Sequence, residues 1–148
     1  MKIISHRGNL NGPNSAVENH PESITKAISL GFDVEIDVWL QYGRLFAGHD
    51  EPEFLLDDSF IRSIQGKSWL HCKNFEALDY LINYEQKLNY FWHENDSYTI
   101  TSFGYIWAYP GKIVNNKSIA VLPELVNPDI SNIFGICTDY PLKDWQYK

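Results

Sequence analysis

Eight short apolar runs, at positions 2–5, 32–40, 44–48, 68–73, 89–93, 104–109, 118–122 and 135–138, punctuate this chain from end to end. Each is rich in β-branched or aromatic residues and is bounded by turn formers, the pattern of strands. Helical patterns fall between the early runs. Pro21-Glu22 opens one, with Ile24, Ala27 and Ile28 on one face and Gly31 at its end. Asp57-Asp58-Ser59 precedes Phe60, Ile61 and Ile64, and Asn74 is placed to cap a segment from 75 to 86 whose Leu78, Leu81 and Ile82 share a face. The later connections, 96–103 and 126–133, have room for no more than a turn or two of helix each.

Strands alternating with helices argue for an α/β fold with a parallel sheet, and eight strands suggest a TIM-type barrel. Length limits this reading: 148 residues against the usual ~250, with ~200 near the low end. The expectation is therefore one domain, 1–148, folded as a trimmed (β/α) barrel with helices reduced or missing in its second half. A smaller open sheet is the alternative. Trimming would leave apolar barrel flank, which a homodimer would cover.

The hydrophobic fraction of 44% and charged fraction of 21% are those of a globular chain. A net charge of -7 argues against nucleic acid as partner, since neutralising phosphates needs an excess of Lys and Arg. It leaves small anionic substrates open, because a metal ion and one or two cations invert the field locally. No apolar stretch is long enough for a transmembrane segment. The start, Met1-Lys2-Ile3-Ile4-Ser5, has no leader-like apolar core or cleavage site. Cys72 and Cys137 sit in apolar runs, outside any metal-type cysteine pair, and read as reduced buried thiols. A cytoplasmic location is expected.

Polar clusters end several of the runs, and in parallel α/β barrels strand C-terminal ends are where catalytic groups gather. Glu35 and Asp37 are two apart on one run, so both side chains point to one face while Val34, Ile36 and Val38 point to the other. Two carboxylates aimed together repel unless a cation joins them. A divalent ion suits such hard oxygen ligands, and Mg²⁺, Mn²⁺ or Ca²⁺ is expected; a pairing with Lys or Arg is the structural alternative. His6 ends the first run and is followed by Arg7, which can fork onto phosphate oxygens, and Gly8. His49 holds a corresponding place after Gly48. In the cluster 91–96, His93 and Glu94 read equally as substrate or metal contacts or as part of a solvated turn.

Taken in order, His6-Arg7-Gly8, Glu18-Asn19, Glu35-x-Asp37 and Gly48-His49-Asp50 resemble the glycerophosphodiester phosphodiesterase family. Ile106-Trp107-Ala108 and Gly135-Ile136-Cys137-Thr138-Asp139-Tyr140-Pro141 resemble its late strands, while the middle matches poorly. The resemblance implies a metal-dependent barrel phosphodiesterase cleaving a small phosphodiester. It implies that His6 and His49 are the acid–base pair, Arg7 a phosphate contact and Glu35 and Asp37 metal ligands. It also implies that Glu18 and Asn19 shape the substrate site and that Trp107 walls it. The family's usual Glu-x-Lys is here His71-Cys72-Lys73. Lys73 keeps the phosphate-neutralising role and His71 takes the third metal position, unless Glu94 or Glu124 does. A non-catalytic phosphate-binding module and a metal-dependent sugar-phosphate lyase or isomerase are the rival readings.

Overall fold

The computed structural model describes residues 1–145, and its ten strands join in one sheet. In chain order they are β1 (Lys2–His6), β2 (Asp33–Gln41), β3 (Arg44–Ala47), β4 (Phe54–Leu56), β5 (Ser68–Cys72), β6 (Asn89–Trp92), β7 (Tyr98–Ile100), β8 (Ile106–Ala108), β9 (Ser118–Val121) and β10 (Gly135–Thr138). Three α-helices, α1 (Pro21–Ser29), α2 (Asp58–Ser63) and α3 (Phe75–Ile82), all precede β6. Among the described residues the second half holds one 3-10 turn, Pro123–Leu125, as its helical element.

The parallel strands follow the spatial order β6-β5-β2-β1-β10-β9-β8. β7 lies antiparallel to β8, and β3 and β4 extend antiparallel from the far end of β2. The expected TIM-type barrel is thus corrected. The sheet is mixed, helices do not alternate with strands throughout, and the structure is a curled half-barrel whose two ends are not joined as paired strands. Isolated bonds bridge those ends instead: the Ser102 N–H donates to the Tyr90 carbonyl at 2.8 Å, Thr99 Oγ1 donates to the Trp92 carbonyl at 2.8 Å, and the Tyr90 N–H donates to Ser102 Oγ at 3.0 Å.

The second half departs from alternation for local reasons. Pro110-Gly111, Pro123 and Pro128 interrupt its connections, each removing a donor or favouring a turn. Segment 96–103 carries Tyr98-Thr99-Ile100, better suited to a pleated edge than to a helical turn, and forms β7. Segment 126–133 forms no helix. Its Ile130 and Ile133, with Trp145 and Val114, cover the outer face of Ala120 and Ile136, where a barrel helix would otherwise pack.

In the first half the helices form for identifiable reasons. Pro21 starts α1 behind His20, whose ring accepts from the Glu22 N–H; Asp57 caps α2 and Asn74 caps α3. Asn74 also bonds both the N–H and the carbonyl of Leu40, tying α3 to β2. The helices bury Ile24, Ala27, Ile61, Ala77 and Leu81 against Val34, Ile36, Val38, Leu70 and Cys72 on the outer sheet face. Inside the curl, Ile4, Trp69, Phe91, Trp107, Ile119 and Cys137 form a second cluster. Glu35 and Asp37 alternate inward from the same strand whose valines pack outward. No helix among the described residues is long and apolar enough to cross a membrane.

Candidate active site

At the C-terminal end of the parallel strands lies a cavity of about 440 Å³, lined by His6, Arg7, Glu35, His49, His71, Lys73 and Trp107 among others. The register delivers most of these groups directly. His6 stands opposite Glu35 across β1 and β2, and Asp37 opposite His71 across β2 and β5. His49 arrives by another route. The turn at Tyr42-Gly43, both with positive φ, folds β3 back along β2. Gly48 (φ +154) then turns the chain where a Cβ would lie 2.0 Å from the Glu51 carbonyl, and the Trp39 indole donates to the Gly48 carbonyl at 2.7 Å.

Each of the first two histidines is held by a carboxylate. His6 Nδ1 lies 2.8 Å from Asp139 Oδ1, leaving Nε2 3.9 Å from Glu35 Oε2. His49 Nδ1 lies 3.0 Å from Asp37 Oδ2, and its Nε2 is 3.3 Å from Arg7 Nη2. An Arg nitrogen only donates, so His49 Nε2 accepts and Nδ1 carries the proton toward Asp37. Burial works against the charged form of His6, but the hydrogen bond to Asp139 and the field of Glu35 outweigh it and raise its pKa. The same bond, with Asn9 donating to Asp139 Oδ1 at 2.8 Å, overcomes burial and lowers Asp139.

Asp37 is the hub. It is fully buried, accepts from Asn19 Nδ2 at 3.0 Å and faces His71 Nδ1 at 2.9 Å. Arg7 Nε lies 3.1 Å and Lys73 Nζ 3.6 Å from its oxygens. Burial alone would raise its pKa; the bonds from His49 and His71 and the Arg7 charge instead hold it well below the usual range. Arg7 and Asn19 both carry left-handed backbone (φ 53 and 60), and the Asn19 N–H donates to the Arg7 carbonyl at 2.8 Å. Strain of this kind persists where surrounding contacts over-determine it.

Glu35 differs from its neighbour. It is buried, faces Asp37, and takes a hydrogen bond from the Arg7 backbone N–H at 3.2 Å. Burial and the Asp37 charge raise its pKa. Ligand atoms of Glu35, Asp37 and His71 all lie within 4.8 Å of one another. Two carboxylates and an imidazole fit a divalent cation by donor chemistry, the nitrogen suiting Mn²⁺ better than Ca²⁺. A cation held there would compete with the His71–Asp37 hydrogen bond.

Glu18 and Asn19 do not line the cavity. Glu18 takes Arg7 Nη1 at 3.1 Å and Asn9 Nδ2 at 3.0 Å, so these two residues hold Arg7 and Asp37 in place. Glu94 is an exposed cavity residue. Glu124 is turned to another task, accepting from Thr138 Oγ1 and from the Asp139 N–H, both at 2.9 Å. Asp139 and Asn9 received no role from the sequence. The available signal for Asp139 was its place after the last strand, where the other site groups also gather. His93 lines the cavity with Nδ1 buried and without a hydrogen-bond partner.

No family model, curated protein or solved structure matches this chain.

Proposed function

We propose that this chain is a metal-dependent phosphodiesterase of the glycerophosphodiester phosphodiesterase type, cleaving a small phosphodiester by histidine acid–base catalysis. The observation that carries the reading is the presence of two carboxylate-held histidines in one cavity, His6 on Asp139 and His49 on Asp37, with Glu35 beside the first and Arg7 beside the second. A carboxylate on Nδ1 fixes the imidazole tautomer and leaves Nε2 for proton transfer.

The two histidines differ in a way that assigns their roles. His6, with its raised pKa, retains a proton and gives it from Nε2 to the leaving oxygen. His49, whose Nε2 is an acceptor, takes the proton of the attacking hydroxyl or water. A bound phosphate draws Arg7 Nη2 away from His49, freeing that nitrogen as the anion is seated. Arg7 and Lys73 stabilise charge on the phosphate oxygens. Mg²⁺, Mn²⁺ or Ca²⁺ held by Glu35, Asp37 and His71 would supply further neutralisation of the phosphate.

The test is hydrolysis of bis(p-nitrophenyl) phosphate and of glycerophosphodiesters, in chelator and with Mg²⁺, Mn²⁺ or Ca²⁺. Metal-dependent turnover is expected, and His6→Ala and Glu35→Ala should each abolish most of it, the first by about 10²–10⁴ on an alkyl leaving group. A folded protein without turnover under any of these conditions overturns the reading in favour of a non-catalytic phosphate site.

A further inference from the structure

The cavity has two unlike sides. Most of its ionisable groups come from β1, β2, β5 and the turn after β3, while His93 and the exposed Glu94 follow β6. The opposite wall, from β6, β8, β9 and their ends, is Trp92, Trp107, Tyr109, Val121, Leu122 and Leu125. This wall runs from the interior to the rim: Trp107 is 4% exposed, Tyr109 52% and Leu125 68%. Its outer end is built with some strain. Leu122 adopts left-handed backbone (φ 45), and its N–H donates to the Cys137 carbonyl at 2.7 Å. That bend starts the 3-10 turn Pro123–Leu125, which sets Leu125 at the rim.

We propose that this wall receives an apolar alcohol, aryl or alkyl, esterified to the phosphate that the opposite side binds; the inference rests on the phosphodiester reading above. A glycerol ester brings two free hydroxyls, and each loses water on entry and needs a replacement partner. Leucine, valine and the faces of indoles supply none. An apolar group covers the same surface and releases water from both partners. The volume of about 440 Å³ lies within the roughly 300–1,000 Å³ typical of small-molecule sites, beyond the needs of phosphate alone.

The experiment is binding of benzyl phosphate, hexyl phosphate, glycerol 3-phosphate and inorganic phosphate to the whole chain. It is followed by tryptophan fluorescence, to which Trp92 and Trp107 contribute, and by calorimetry. Benzyl or hexyl phosphate should bind about tenfold or more tightly than glycerol 3-phosphate, the effect of burying about two methylenes. Leu125→Ser, at an exposed position that does not endanger the fold, should shrink that ratio. Equal affinities for apolar and glycerol esters, or a ratio indifferent to Leu125→Ser, overturn this inference and leave the phosphodiesterase reading standing. Failure of all four probes to bind, inorganic phosphate included, overturns the phosphate site and with it both proposals. Hydrolysis of glycerophosphobenzyl alcohol in preference to glycerophosphoglycerol is the matching expectation in turnover.

Discussion

Asp139→Asn separates a positioning role for Asp139 from a merely structural one. The wild-type carboxylate sits 2.8 Å from His6 Nδ1 and helps raise that histidine's pKa against the pull of burial. Asparagine keeps the shape, and either of its ends can face the ring. With its oxygen toward Nδ1, it replaces a charge-assisted bond, worth about 1.5–3 kcal/mol, with a neutral one worth about 0.5–1.5, so the imidazolium is weakened about 5–10-fold. With its amide nitrogen toward Nδ1, it selects the wrong tautomer, which in serine proteases costs about 10⁴ in rate. The loss in kcat/KM on a glycerophosphodiester should therefore fall between these bounds. It should be smaller on bis(p-nitrophenyl) phosphate, whose leaving group needs little protonation. Removing a bond that raises the His6 pKa should also move the alkaline limb of the pH profile to lower pH, because the proposed mechanism uses His6 in its protonated form. Wild-type rates on both substrates with an unmoved profile, in a protein of unchanged Tm, would refute the reasoning.

Glu35 has a raised pKa in the fold, so it favours the folded state below the ordinary Glu range near pH ~4.3 and weakens it as pH rises through the raised value. Glu35→Gln should accordingly raise Tm in chelator at neutral pH, by about 2–4 °C for each kcal/mol relieved, with no gain in acid; thermal melts at the two pH values check this. Mn²⁺ should raise the Tm of wild type and leave Glu35→Gln nearly unmoved, as ion titrations would show. A Cβ on Gly135 would lie 2.6 Å from the Lys2 carbonyl, where β10 packs against β1, so Gly135→Ala should destabilise by about 1–3 kcal/mol in urea unfolding. Burial pushes the Cys72 thiol up to about 12 and the Cys137 thiol well above its usual value. Neither should react with a thiol reagent at neutral pH until denaturant is added.

What was legible in the sequence followed from local periodicity. Glu35 and Asp37 share a face because strands have a period of two, and Asn74 announces α3 by its side chain. What was not legible depended on distant partners. Asp139 meets His6 across 133 residues, and no local pattern forecasts that contact. The hairpin that returns His49 relies on positive φ at Tyr42, a residue type seldom found there. The alternation of strand and helix in the first half extended poorly to the second. There, loop residues such as Ile130 and Ile133 do the covering that helices do elsewhere, and such coverage has no periodic signal.

The neighbouring positions of β1 and β10 have a temporal consequence. Synthesis proceeds at about 5–20 residues per second, so His6 leaves the ribosome on the order of ten seconds before its carboxylate partner does. Through that interval the nascent chain holds most of its site groups without the bond that orients one of them. If the proposed phosphodiesterase activity is present, its onset should therefore coincide with docking of β10 against β1, and turnover would report when that strand pair has formed.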